Sequence, residues 1–454
     1  MSRYRFQDAY RMSQGSSGMR DARPGRSPRS QSGQSGTQDQ PKPIPEIKVR
    51  DLFDTDQTVS WYDGRKNRIG NAAGVDGIQL RHLKRADVAR LCRDVVCEIH
   101  SGEFLPNPLR PVDILRLDGR IRTLKLSTIA ERIVYGAAAS YLTDVVAPHI
   151  GPNFHGSMPN RGVHTLLAEI VRFVASTPQD APIFVREMDI VRAFDNVRLS
   201  AVTEVLSQMG FQDEVVEMLQ RILTPSDAAG EIIGLPQGNP FSPILFAVTL
   251  DSCFQQTANL PESAGVLTPL VYVDNVVYVT TQERLLSDSI QFHQSAINLK
   301  GLDYGRGEPS KPAGNLRTGE TSVLLGNALA VIGTRPRFEI EPRRVLKVQE
   351  LIRSLAVHPN PLGSTLEFLN AYVSSKGHIY ATAGREYCNQ TLSNICGGPD
   401  IEEIAKAKIL DKWRTAGGNQ TNTWETRHIW STTLNERSSP NGSEDDLFIP
   451  WEAW

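Results

Sequence analysis

The sequence has no CxxC pair, no long apolar run and almost no net charge. Its five cysteines (Cys92, Cys97, Cys253, Cys388 and Cys396) have no histidine partner at zinc-like spacing. A zinc ribbon or dithiol redox centre is therefore not expected, and the pattern reads as reduced thiols in a cytoplasmic protein. No stretch is apolar enough to span a bilayer, and the polar, Arg/Ser/Gly-rich N-terminus does not read as a signal peptide, so no membrane partner is expected. A formal net charge of -2 gives no bulk attraction for a polyanion. There is no internal repeat and no excess of disorder-promoting residues: 40% hydrophobic and 22% charged is the balance of a folded protein. At 454 residues, two or three subdomains are expected rather than one core.

Charge is present locally. Arg110, Arg116, Arg120, Arg122, Lys125 and Arg132 crowd one segment, and Arg335, Arg337, Arg343, Arg344, Lys347 and Arg353 another. Either alone reads as a solvated face; together they point to a path for a phosphate backbone. Residues 1–45, with many Ser, Gly, Gln, Arg and Pro, are expected to be disordered. Apolar residues at helical spacing predict helices over Ala86–His100, Ser127–Val146, a segment following Arg161, Ser200–Met209 and Arg343–Ala371. Five of the six tryptophans (Trp413, Trp424, Trp430, Trp451 and Trp454) fall in the C-terminal stretch, which is expected to dock on the body or on a partner.

The chemistry concentrates in two acidic strand ends. Leu270-Val-Tyr-Val-Asp-Asn-Val-Val-Tyr-Val279 reads as two strands joined by a tight turn, with Asp274 and Asn275 at its tip. Upstream, the strand beginning at Val185 ends in Asp189 and continues to Asp195. A carboxylate is costly among apolar residues unless a cation satisfies it. Carboxylates from two separate strand tips are what divalent-metal phosphoryl transfer needs. Between them lies Gly234-Leu-Pro-Gln237-Gly238-Asn-Pro-Phe-Ser242-Pro243, a loop-to-helix junction in which Gly238 permits close backbone approach and Gln237 offers an amide.

In this order, the fragments resemble the reverse transcriptases of bacterial retroelements, above all the group II intron and retron-like branch. The resemblance runs from about Ala73 to Gly326. It includes Ala73-Gly-Val-Asp-Gly-Ile78, Arg116 to Lys125, Glu131 to Val134, and Phe154-His-Gly-Ser-Met-Pro-Asn-Arg161-Gly-Val-His164. Asp189 to Asp195, Gln237 to Pro243, the Tyr272–Asn275 box, and Leu324-Leu325-Gly326 at the primer-grip position complete it. The resemblance implies an α+β right-hand polymerase fold: fingers over 46–180, palm over 181–335, a helical thumb over 336–410 and a Trp-rich tail over 411–454. It implies RNA-directed DNA synthesis with Mg²⁺, or Mn²⁺, held by Asp189, Asp274 and the carbonyl of Ile190. Arg122, Phe194, Gln237, Gly238 and Lys311 would contact the incoming dNTP, Phe194 as the aromatic gate against a ribose 2′-hydroxyl. Arg116, Arg120, Arg161, Leu325, Gly326, Arg343, Arg344 and Lys347 would contact an RNA template and a DNA or RNA primer, and a cognate non-coding RNA is a further expected partner.

Asn275 departs from the family, which has Asp there. Asn keeps one acceptor oxygen and loses the charge, so metal affinity falls. The absence of an endonuclease signature after the thumb favours a retron-like, antiviral-defence or domesticated enzyme over a mobile intron protein. The alternatives are a weakened or silent nucleic-acid-binding protein on the same palm, and a template-independent DNA polymerase.

Overall fold

The computed structural model describes residues 44–66, 69–115, 121–224, 232–255, 266–305, 314–333, 335–355, 369 and 377–396. Arg116, Arg120, Lys311, the Trp-rich tail and all but the end of the 1–45 segment lie outside the described residues, as does most of 356–376. The chain forms two compact units, residues 1–114, 121–151 and 192–252 in one, and residues 115–120, 152–191 and 253–454 in the other.

The first unit is mainly helical. Helix Arg85–Ser101 buries Val88, Cys92, Val96 and Ile99 on one stripe and ends at Gly102 in the left-handed region, as its 3.6-residue periodicity predicts. Helix Ile129–Val146 starts at a capping box. The Thr128 amide donates to Glu131 Oε2 at 3.0 Å, and the Glu131 amide returns a bond to Thr128 Oγ1 at 3.3 Å. Glu131 is wholly buried, and its other oxygen accepts from the amide and side chain of Asn107 at 2.8 and 3.1 Å. Those bonds are what make a carboxylate tolerable in that core. Phe53, Phe241, Tyr135 and Phe104 pack ring to ring at 6.0–6.4 Å centroid distances around it. A two-stranded sheet, β1 (Arg110–Leu115) with β2 (Ile121–Leu126), and helices Thr55–Arg65, Leu199–Gln208, Asp213–Leu223 and Ser242–Gln255 complete this description.

Arg132 corrects part of the charge reading. It is buried, and its guanidinium donates to the carbonyls of Ala72 and Gly70 rather than facing solvent. Arg110 likewise donates to the Ala73 carbonyl at 3.1 Å. Basic residues close together in sequence here hold a neighbouring loop.

The second unit is built on two antiparallel sheets. In the first, β3 (Phe184–Asp189), β5 (Asn275–Thr280) and β4 (Val266–Tyr272) lie in the order β3-β5-β4, with Asp189 opposite Asn275 and Tyr272 opposite Asn275. Strand β5 is central and buried from Val276 to Thr280, which explains its unbroken apolar run. Helix Glu283–Asn298 packs on β3 and β5. The second sheet joins β6 (Ser322–Leu324), β7 (Asn327–Ile332) and β8 (Arg335–Ile340). A shared core links helix Val163–Ser176 to both sheets through Leu167, Val171, Val185, Val277, Leu324 and Phe338. Each such side chain removed from water contributes about 1.5–3 kcal/mol. Helix Gly377–Cys396 covers the free edge of β8: Thr382 Oγ1 and Tyr387 OH each accept a β8 amide hydrogen at 3.0 Å. Helix Pro342–Leu355 buries Val348 and Ile352 and leaves Arg343, Arg344 and Lys347 exposed.

Candidate active site

The antiparallel register places Asp189 and Asp274 side by side. Asp189 closes β3, while Val273 and Asp274 form the two-residue turn between β4 and β5. The Ile190 amide donates to the Asp274 carbonyl at 2.9 Å, fixing the turn against the strand that carries Asp189. Val273 sits at φ 58, a region a β-branched residue enters only under constraint. Part of that constraint comes from Gly156, which lies against the Val273 amide so closely that a Cβ there would fall 2.4 Å from its nitrogen. The His155 amide donates to the Val271 carbonyl at 2.7 Å, and the Arg161 guanidinium to the Phe154 carbonyl at 3.0 Å. Arg161, expected to contact nucleic acid, is thus also part of the loop that buttresses the turn.

Electrostatics marks the same spot. Desolvation, and next the negative charge of Asp274, raise the pKa of Asp189 above the ordinary carboxylate value. Asn275 Nδ2 donates to Asp274 Oδ1 at 3.2 Å, so the neighbouring amide steadies that carboxylate. Glu187, two residues before Asp189, is half-buried, and burial pushes its carboxyl up to about 7, against the opposing bond from the Leu325 amide. Glu187 was missed in the sequence, where its one signal is an acid in line with Val185 on the core row of a strand. Among the described residues no group of three or more His, Cys, Asp or Glu side chains is arranged to hold a metal. Two adjacent hard-oxygen carboxylates that repel one another remain a donor set suited to a divalent ion with backbone and substrate oxygens completing its shell.

Other expected site residues belong to the first unit. Phe194 is half-buried and packs on Phe246 with ring centroids 5.0 Å apart. Gln237 Nε2 donates to Asp195 Oδ1 at 2.9 Å, and its carbonyl accepts from the Lys125 amide at 2.8 Å. Gly238, at φ 112, lies where a Cβ would stand 2.9 Å from the Lys125 carbonyl oxygen, which is the close approach its position predicts. Arg122 lies on β2, where only its backbone is described. In the second unit, Leu325 and Gly326 form the turn between β6 and β7, and Arg344 lies against Gly326.

Residues 114–304 match the family "Reverse transcriptase (RNA-dependent DNA polymerase)". Over 209 residues the chain is 24% identical to the COX1/OXI3 intron 2 protein of Saccharomyces cerevisiae, covering 45% of this chain and 23% of that protein. It is 25% identical over 187 residues to Protein YkfC of Escherichia coli K12, covering 39% and 48%. It is 20% identical over 259 residues to the retrovirus-related Pol polyprotein from type-1 retrotransposable element R2 of Popillia japonica, covering 51% and 36%. Residues 114–304 are therefore similar to a reverse-transcriptase domain, in a chain of α+β fold with antiparallel sheets. The chain spans less than half the length of each of these relatives. No helix among the described residues is long and apolar enough to cross a membrane.

Proposed function

We propose that the protein is an RNA-directed DNA polymerase that adds dNTPs to a primer on an RNA template. The observation that carries this reading is the side-by-side placement of Asp189 and Asp274, each delivered by a separate strand end and each in the charge field of the other. Asp189, Asp274 and the carbonyl of Ile190 would hold Mg²⁺ or Mn²⁺, which when bound supplies charge stabilisation to the attacking 3′-hydroxyl and the leaving pyrophosphate. The protein's own part is placement. The Ile190–Asp274 backbone bond and the Gly156 contact keep the two carboxylates at a fixed spacing. Phe194 would exclude a 2′-hydroxyl by shape, backed by Phe246. Gln237, held by Asp195, would present a rigid loop with Gly238 to the nucleotide, with Arg122 and Lys311 on its phosphates. Exposed Arg343, Arg344 and Lys347 would meet the template–primer backbone.

We place this activity in a retron-like, defence-associated or domesticated system, with a cognate non-coding RNA as a further partner. A cytoplasmic setting fits the five free thiols. A second reading, a silent nucleic-acid-binding palm, is favoured by Asn275 alone. Extension of a primer annealed to RNA, compared with the same primer without template, tests the proposal. Template-directed product supports it, untemplated addition moves it to a template-independent enzyme, and no product with either metal favours the silent palm.

A further inference from the structure

One carboxylate near the site is spoken for by neither metal nor nucleotide. Glu187 lies on β3 opposite Val277, in the row Val185–Glu187–Asp189, and its Oε2 accepts the Leu325 amide hydrogen at 2.7 Å across 138 residues of chain. Leu325 and Gly326 are the central residues of the β6–β7 turn, at φ 47 and φ 72. Both being left-handed is the pattern of a type I′ turn, which suits Asn-Gly and strains a leucine. Three groups offset that strain. Glu187 holds the Leu325 backbone amide, and the side-chain Nδ2 of buried Asn327 donates to the carbonyls of Leu324 and Leu325 at 3.2 and 3.3 Å. The Arg344 guanidinium covers the open face of Gly326 so closely that a Cβ there would fall 1.8 Å from its Cζ. The same Arg344 is exposed beside Arg343 and Lys347.

We propose that Glu187 is a positioning residue: by clamping the Leu325–Gly326 turn to the strand that ends in Asp189, it registers the nucleic-acid backbone held near Arg344 against the paired carboxylates. The proposal rests on the polymerase reading of Asp189 and Asp274. The bond from the Leu325 amide to the Glu187 side-chain oxygen is short and directional, so it fixes both distance and orientation between turn and strand. A glutamine carbonyl accepts the same bond, whereas alanine leaves the Leu325 amide without its acceptor and the turn under strain.

The experiment measures steady-state primer extension on an RNA template with wild type, Glu187→Ala and Glu187→Gln, alongside hydrogen-exchange mass spectrometry of peptides covering 322–327. Glu187→Ala is expected to lower kcat or raise the KM for primer–template by ~10-fold or more, while the KM for dNTP and the half-saturating Mg²⁺ concentration stay within ~2-fold. Glu187→Gln is expected to recover to within ~3-fold of wild type. Exchange at 322–327 is expected to rise in Glu187→Ala alone. A Gln variant as impaired as Ala, a shifted metal requirement, or unchanged exchange at 322–327 overturns the proposal. If the wild type itself incorporates no dNTP while 322–327 stays protected, the polymerase reading fails and takes the positioning role with it, although the clamp remains as a structural contact.

Discussion

Asn275 donates its side-chain amide to the carboxylate of Asp274 at 3.2 Å, at the position where the sequence resemblance implies a second carboxylate. The contact replaces a like-charge repulsion with a hydrogen bond and removes one hard anionic oxygen from the tip of the hairpin.

Restoring that oxygen is informative. Asn275→Asp is expected to retain activity, or raise it ~2–10-fold, with the larger gain in Mg²⁺, which demands hard oxygen ligands more strictly than Mn²⁺. Primer extension in each metal over a concentration series checks this. Loss of activity in both metals would show that the Asn275–Asp274 bond is itself required.

The proposed gate on the sugar is Phe194, whose ring rests on Phe246 and remains half-exposed. Phe194→Val is expected to admit rNTPs, with dNTP-over-rNTP discrimination falling by ~10–100-fold, or ~1–3 kcal/mol, the worth of a pocket-shape contact. Competition assays with paired dNTP and rNTP measure it. Wild-type protein that uses both sugars equally would remove the gate.

The loop beneath the hairpin carries a pH signature. His155 is buried, its Nδ1 lies 2.7 Å from Thr165 Oγ1, and burial, with Arg161 second, lowers its pKa to about 3. A histidine lowered in the folded state contributes stability that is complete above its unfolded value near 6.5 and is lost as pH falls towards 3. Buried His293, lowered to about 4, acts in the same direction. The contribution of each histidine to the unfolding free energy is therefore expected to fall by up to about 1.4 kcal/mol per pH unit below pH 6, against the opposite contribution of Glu187, whose raised carboxyl gains stability as pH falls from 7. His155→Gln is expected to flatten this slope. Thermal midpoints at pH 7, 6 and 5 check it, and equal slopes in wild type and variant would contradict it.

Much of this was legible where a single segment carries its own pattern. The stripe Val88, Cys92, Val96, Ile99 announces helix Arg85–Ser101, and the apolar run broken only at Asp274 and Asn275 announces the β4–β5 hairpin. Helix Thr55–Arg65 escaped because it buries little beyond Thr58 and Tyr62 and shows no stripe. Arg132 looked like surface charge because its acceptors, the Ala72 and Gly70 carbonyls, lie in a distant loop. Glu187 escaped for the same reason: its partner is a backbone amide in another hairpin, and backbone partners leave no trace in a side-chain pattern. The Gln237–Asp195 bond joins two recognised motifs, yet nothing in either says that one holds the other.

The central claim is that Asp189 and Asp274 form one nucleotidyl-transfer centre, and dNTP incorporation by wild type and Asp274→Ala on the same primed RNA, in Mg²⁺ and in Mn²⁺, tests it most directly. The account predicts template-dependent extension by the wild type and a loss of ~10³-fold or more in Asp274→Ala in both metals, with the folded state retained because the side chain sits at a turn tip. Extension by Asp274→Ala at the wild-type rate, or none by the wild type in either metal, would contradict it.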